Sequence, residues 1–339
     1  MLNSVLLKNF GPLEELTWSG LGTINLVIGR NGSGKTFLLK ALYSAIRTLE
    51  EYRRGNDIRS AADILVEKLY WTFQPDKVGD LVTKGADGGL RCQLTVDGRD
   101  FSYQFGKDTT RQIATLENHV QPRSSNSVFL PAKEVLSLHQ VILKSREQDK
   151  VFGFDDTYFD LAKALQTPAM RGKNFKAFAK SRSNLEEMFG GTVVYDQTTK
   201  QWQFQQGRQK FPIGVTAEGI KKIAILDTLL SNRYLSPDSV VFFDEPESAL
   251  HPAAIAQLLD IVGLLAKSGI QFFLASHSYF VVKKLYLLAQ EQGLSIPVLL
   301  LDADGSYTTA DLKGGMVSNP IVDESIRLYE QEVELALGQ

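Results

Sequence analysis

The sequence of 339 residues predicts an α/β fold with an inserted helical lobe and antiparallel β hairpins. Three observations predict it. An apolar, β-branched run from Leu21 to Ile28 ends at Gly29, as a buried strand feeding a glycine loop does, and a helical period follows at once. Further along, short apolar strands at Val240–Phe243 and Gln271–Ala275 alternate with helical stretches at Pro252–Lys267 and Tyr279–Gln292. Between these ends, residues 91–105 switch to the two-residue alternation of a hairpin.

Each element follows from its local pattern. Met1–Lys8 reads as a short strand, since it lacks the basic start and long apolar run of a signal peptide. After the glycine loop, Phe37, Leu38, Leu42, Ala45, Ile46 and Leu49 recur at helical spacing. Arg91–Val96 and Arg99–Phe105 flank Asp97-Gly98, a strong two-residue turn signal. Ser127–Leu130 is a short strand closed by Pro131, and residues 155–190 are helical, broken at Pro168 and closed by Gly190-Gly191. Val193–Tyr195 with Trp202–Phe204 suggests a second hairpin, and a helix runs from Ala217 to Leu230. Val298–Leu301 is a last strand, and Asp304-Gly305 before Ser306–Thr309 reads as a hairpin turn rather than as paired metal-binding carboxylates in Asp302-Ala303-Asp304. These assignments give one unit, with a core at 1–65 and 216–339 and a β and helical insert at about 66–215.

Composition narrows the function. A net charge of −2 gives no global pull towards nucleic acid or an anionic membrane, so any such binding must come from a local patch. The single cysteine, Cys92, excludes an intrachain disulfide, which with the missing leader and missing apolar spans predicts a cytoplasmic protein with no membrane partner.

The chemistry-bearing residues fall in three places. Gly29, Arg30, Asn31, Gly32, Ser33, Gly34, Lys35 and Thr36 match G-x-x-x-x-G-K-[ST], the P-loop. Glycines let the backbone curl so that successive N–H groups point at a β-phosphate, and the helix start adds its partial positive charge. Lys35 is placed to reach β- and γ-phosphates and Thr36 to hold Mg²⁺. Val240–Phe243 then delivers two adjacent carboxylates at a strand's carboxyl end, where open α/β sheets bind ligands. Asp244 would bind the metal, and Glu245 would orient or deprotonate the attacking water. Third, His277 in Ala275-Ser276-His277-Ser278 ends the next strand, where an imidazole can donate to a γ-phosphate. The expected cofactors are ATP and Mg²⁺, and the expected activity is hydrolysis of ATP to ADP and phosphate.

With Phe243-Asp244-Glu245-Pro246-Glu247, Leu250-His251-Pro252 and the opening Leu7-Lys8-Asn9-Phe10-Gly11, this set resembles the P-loop NTPases that form ABC-type ATPase heads. Within them it resembles the branch of SMC proteins, DNA-repair ATPases and OLD-family nucleases, often labelled AAA-family. The resemblance covers residues 1–50 and 216–300 closely and the middle in outline. It implies a homodimer closed by ATP, in which a glycine loop at a helix start acts in trans on the partner's nucleotide. Here that place holds Thr216-Ala217-Glu218-Gly219, with Gly219 as the contacting residue and Thr216 as helix cap. Ala217-Glu218 departs from the family's small or serine residues. Glu247-Ser248-Ala249-Leu250-His251 would cross the dimer interface. The family's glutamine loop has candidates at Phe129–Glu134, which carries no glutamine, and at Gln74 and Gln140.

A head without an effector of its own implies a separate one, a nuclease or toxin, in defence against phage or in genome maintenance. The alternatives are a DNA-repair or SMC-like ATPase acting on DNA directly, which usually carries a long coiled coil, and a transporter subunit, whose serine-glycine-glycine-glutamine signature is missing here. Two surface features bear on partners. Arg171–Arg182 carries five basic residues and no acid, and reads as a solvated helix face whose phenylalanines reach the core, or else as a site for nucleic-acid phosphates or an acidic partner. Asp323–Leu337 reads as an amphipathic helix whose stripe of Ile326, Tyr329, Val333 and Leu337 packs on the chain's own core.

Overall fold

A computed structural model describes residues 1–168, 176–302 and 304–337. In chain order, strands β1 (Leu2–Phe10) and β2 (Leu13–Ser19) precede β3 (Ile24–Gly29), which runs into helix α1 (Lys35–Glu51) and then α2 (Ala61–Phe73). Strands β4 (Leu90–Val96), β5 (Arg99–Phe105), β6 (Thr115–Asn118) and β7 (Val128–Leu130) follow, then helices α3 (His139–Glu147), α4 (Asp156–Gln166) and α5 (Lys176–Phe189). Next come β8 (Thr192–Asp196), β9 (Gln201–Gln206), β10 (Gln209–Pro212) and helix α6 (Glu218–Ser231). The chain ends through β11 (Val240–Asp244), α7 (Pro252–Ala266), β12 (Gln271–Ser276), α8 (Tyr279–Gln292), β13 (Pro297–Leu301), β14 (Tyr307–Asp311) and α9 (Pro320–Leu337).

A six-stranded sheet of order β14-β13-β3-β12-β11-β7 forms the centre, parallel except for edge strand β14. Its parallel strands are largely apolar on both faces because both are covered. Ile24, Leu26, Val241, Phe243, Phe272 and Leu274 point into one core, shared with α4, α6, α7 and α8. Val27, Val240, Phe242, Phe273 and Ala275 point into the other, with α1 and the antiparallel sheet β2-β1-β4-β5-β6. That alternation is the two-residue period of a strand read against two cores.

The pairing cuts across the expected division at residues 66 and 215. β1 and β2 belong to the same antiparallel sheet as the hairpin β4–β5, with Val5 opposite Leu94 and Leu7 opposite Cys92. β7 joins the parallel sheet beside β11 instead of an antiparallel insert. Alternation identifies a strand but not its partner, and β1 and β4 meet through buried Leu2, Val5, Leu7, Leu90 and Leu94. The Asp97-Gly98 turn forms as expected, both residues in the left-handed region. So does the turn after β13, where Asp304 accepts from the Ser306 N–H at 3.0 Å; Ala303 lies outside the described residues.

Of two surface expectations, the one for α9 changes, and that for the basic segment is met at Phe178. The stripe of α9 does not pack on the core: Ile326, Tyr329, Val333 and Leu337 are exposed, Tyr329 by 66%, and only Ile321 and Val322 near the helix start reach the core. In the basic segment, Lys173 and Phe175 lie outside the described residues, Phe178 is buried in the core, and Arg182 pairs with Asp227 at 2.8 Å and Glu186 at 3.1 Å. Among the described residues, no helix is long and apolar enough to cross a membrane.

Candidate active site

Since β3, β12 and β11 are parallel neighbours, their carboxyl ends open on one edge of the sheet, with the end of β12 between the other two. The P-loop leaves β3, the paired carboxylates leave β11, and His277 leaves β12. Sheet order alone therefore brings together side chains separated by about two hundred residues.

The loop's glycines answer two constraints. A Cβ on Gly29 would lie 2.3 Å from the carbonyl oxygen of Leu301 on β13, so only glycine lets the loop leave the sheet there. Gly32 and Gly34 hold left-handed backbone at φ 81° and 93°, and nothing stands within 4 Å of a Cβ on Gly32. Ser33 Oγ is buried without a hydrogen-bond partner. Lys35 is 7% exposed, and its ammonium donates to the carbonyls of Gly29 and Arg30, both at 2.8 Å. Burial lowers its pKa, against the opposing charges of Asp244, Glu245 and Glu247.

Thr36 and Asp244 are hydrogen-bonded, the hydroxyl lying 2.9 and 3.1 Å from the two carboxylate oxygens. Burial raises the Asp244 pKa, the Thr36 hydrogen bond opposes this, and the Glu245 charge adds to it. Glu245 sits in the left-handed region at φ 47°, and its N–H donates to Ala275 at 2.9 Å, which extends the β11–β12 ladder by one residue. Its carboxylate lies 3.3 Å from His277 Nδ1. The sequence-predicted Lys35, Thr36, Asp244, Glu245 and His277 thus converge on one sheet edge. Open space at Gly32, the unpartnered Ser33 hydroxyl and the paired Thr36–Asp244 oxygens fit a phosphate chain and a hard cation with oxygen ligands.

Two further residues belong to the site. Glu247, expected in an interface loop, accepts from Ser276 Oγ at 2.8 Å and from the His277 N–H at 3.3 Å, which ties the carboxylate turn to the histidine loop. Lys222 on α6 reaches the carbonyl of Glu245 with its ammonium and stands 3.5 Å from that of Ala132, and burial pushes its pKa down to about 8 against Glu247, Asp244 and Glu245. Nothing in the sequence separates Lys222 from its neighbour Lys221, which pairs with Glu218 and Glu134.

Gly219 does not lie open at its helix start. A Cβ there would meet the Ala249 carbonyl and Leu250, each at 2.8 Å, so the residue packs against its own chain. Thr216 does not cap α6 either: Ala217 is the cap residue, without a side-chain hydrogen bond, while Thr216 Oγ1 lies 3.5 Å from the Pro212 carbonyl. Ala217 and Glu218 are the exposed residues of that end. Of the glutamine candidates, Gln74 closes α2 and Gln140 donates to the Tyr195 hydroxyl at 2.9 Å.

A parallel sheet whose edge gathers a P-loop, two carboxylates and an interposed histidine defines a P-loop ATPase head. The chain belongs to the family described as AAA domain, putative AbiEii toxin, Type IV TA system, whose model matches residues 24–283, well over half of its length. Its fold is similar to that of SMC heads. One, the SmcHead bound to the C-winged helix domain of ScpA, is 13% identical with a TM-score of 0.54, over 91% of this chain and 97% of that one. Another, an Smc head domain with an extended coiled coil bound to the C-terminal domain of ScpA derived from Pyrococcus furiosus, is 12% identical with a TM-score of 0.52, over 97% and 98%. At these identities the likeness is one of fold. No curated protein matches the chain.

Proposed function

We propose that the chain binds ATP with Mg²⁺, hydrolyses it, and uses the nucleotide cycle to close a dimer that controls a separate effector protein. One observation carries the catalytic part: Lys35, the Thr36–Asp244 pair and the Glu245–His277 pair converge on a single sheet edge. Lys35 would orient the β- and γ-phosphates, with the loop N–H groups from Gly32 to Thr36 around them. Thr36 and Asp244 would hold Mg²⁺, which neutralises phosphate charge when bound. Glu245 would position or deprotonate the attacking water, and His277 would hold Glu245 and donate towards the γ-phosphate.

The dimer and the partner rest on other support. The helix start at Ala217 and Glu218 is exposed and has no side-chain cap, which leaves N–H donors and the helix dipole for an anion supplied by a second copy. Two SMC heads of this fold were solved with part of a second protein, ScpA, bound. The family's description names a toxin of a type IV toxin–antitoxin system. The first supports a separate protein partner and the second a place in a toxin–antitoxin system; a nuclease or toxin as that partner, and a role in defence against phage, are what we propose from them.

The test is a pair of variants assayed for ATP binding and phosphate release. Glu245→Gln keeps ATP affinity and lowers turnover by about 10²-fold or more, whereas Lys35→Ala, shown to be folded, loses ATP binding. Wild-type ATP affinity in folded Lys35→Ala protein sinks the assignment.

A further inference from the structure

Glu245 combines a demanding backbone with a demanding task. Its φ of 47° places a non-glycine residue in the left-handed region, and Pro246 behind it restricts the conformations it can adopt. The turn from Glu245 to Ser248 is closed by the Ser248 N–H donating to the Glu245 carbonyl at 3.0 Å. That carbonyl also accepts from the ammonium of Lys222, on α6. The same ammonium stands 3.5 Å from the carbonyl of Ala132, in the segment that follows β7. Lys222 thus joins three segments that leave different elements: the start of α6, the carboxylate turn after β11 and the loop after β7.

We infer that Lys222 is the positioning residue for Glu245, setting the direction of the catalytic carboxylate by holding its main-chain carbonyl. A charge-assisted hydrogen bond is about twice as strong as a neutral one, so the ammonium fixes the turn more firmly than the Ser248 N–H alone. Its side chain is buried, which removes water as a competing partner. With Glu245 Oε1 3.3 Å from His277 Nδ1, rotation of the turn would break the only side-chain pairing that orients the carboxylate among the described residues. The placement of Lys222 on α6 has a second consequence. Residues 217 and 218, at the exposed start of that helix, lie about one turn from Lys222, so a contact made there by a second copy is passed to Glu245 through a single side chain.

The inference rests on the proposed hydrolysis, and two measurements keep the two separable. Lys222→Met keeps the length and apolar stem and removes the donor, and Lys222→Arg keeps a charged donor. Met is expected to lower kcat by about 10²-fold with the KM for ATP unchanged, and Arg to recover most of the loss. Wild-type kcat in the Met variant, no recovery by Arg, or a KM that rises in step with the fall in kcat would overturn the positioning role. Hydrogen exchange of the nucleotide-free protein gives a readout independent of turnover. Peptides covering residues 245–250 should exchange faster in the Met variant than in wild type while those from α7 do not; equal exchange at 245–250 also overturns it. Should wild type bind ATP and release no phosphate, hydrolysis fails as a reading, and exchange alone decides whether Lys222 holds the turn.

Discussion

Thr36 Oγ1 and the carboxylate of Asp244 meet at 2.9 and 3.1 Å although 208 residues separate them in the chain. One stands at the start of α1 and the other at the end of β11, so the contact depends on the sheet placing the carboxyl ends of β3 and β11 close together, here with β12 between them. It links the phosphate loop to the carboxylate turn. Thr36→Val should therefore leave ATP binding measurable in EDTA and remove most of the gain in affinity that added Mg²⁺ gives wild type. Titration of a fluorescent ATP analogue with and without Mg²⁺ checks this, and an undiminished Mg²⁺ effect contradicts it.

Gly29 and Gly32 should separate structure from binding. Alanine at 29 puts a Cβ 2.3 Å from a backbone oxygen of β13 and 2.7 Å from Ser33 Oγ. It is expected to lower unfolding free energy by about 2–4 kcal/mol. Alanine at 32 meets no atom within 4 Å and loses only the left-handed preference of glycine, about 1 kcal/mol. Its methyl group stands in the open space of the loop, so ATP affinity should fall in this variant although the fold persists. Urea unfolding and ATP titration of both proteins make the comparison.

A buried charge network behind α1 gives the pH dependence. Lys68 lies 2.9 Å from Asp160, 3.0 Å from Glu51 and 3.4 Å from Asp156, and Arg146 lies 3.0 Å from Asp156. Burial raises the Asp156 carboxyl to about 7, against Lys68 and with the help of the Asp160 charge. A carboxyl raised in the folded state stabilises the fold fully below its unfolded pKa, near 4, and loses that contribution as pH rises through about 7. Wild type should accordingly lose stability between about pH 4 and 7 through this group, with little further loss above. Asp156→Asn should melt about 2–4 °C above wild type at pH 8, a margin that shrinks as the pH falls towards 5. Thermal melts across that range test the sign.

How much of this was legible in the sequence depends on how local each signal is. Strand, glycine loop and helix at residues 24–51 follow one another, so their pattern and their structure coincide. Val240–Glu245 and Ser276–Ser278 were readable because each motif carries its own strand, and parallel order then placed them beside the P-loop. The partner of β4 was not readable, because alternation in residues 90–105 is the same whether β1 or another strand lies alongside. Lys221 and Lys222 are adjacent and chemically identical, and a rotation of about 100° along the helix sends one to Glu218 and the other to the carboxylate turn. The stripe on α9 announced an apolar face and not what covers it. A glycine at a helix start suggests an anion contact, whereas at Gly219 the missing side chain makes room for Ala249 and Leu250.

That last difference changes how the dimer is tested. A carboxylate at 219 would collide with the chain's own backbone, so loss of dimer in Gly219→Asp would report misfolding as readily as repulsion. Ala217 is exposed, sits at the cap position and makes no side-chain hydrogen bond there. Aspartate is among the best cap residues, and Ala217→Asp should raise the stability of the isolated chain by about 0.5–2 kcal/mol. The same carboxylate would face the partner's γ-phosphate if α6 acts in trans, and like charges at that distance repel. The two effects have opposite signs, which is what makes the variant informative. In the slow-hydrolysing Glu245→Gln background, addition of ATP and Mg²⁺ should convert the parent protein from monomer to dimer by light scattering. The double variant should melt higher than its parent and stay monomeric at the same concentrations. A stabilised protein that still dimerises on ATP would remove the start of α6 from the interface, and a destabilised one would show that Ala217 is not the cap.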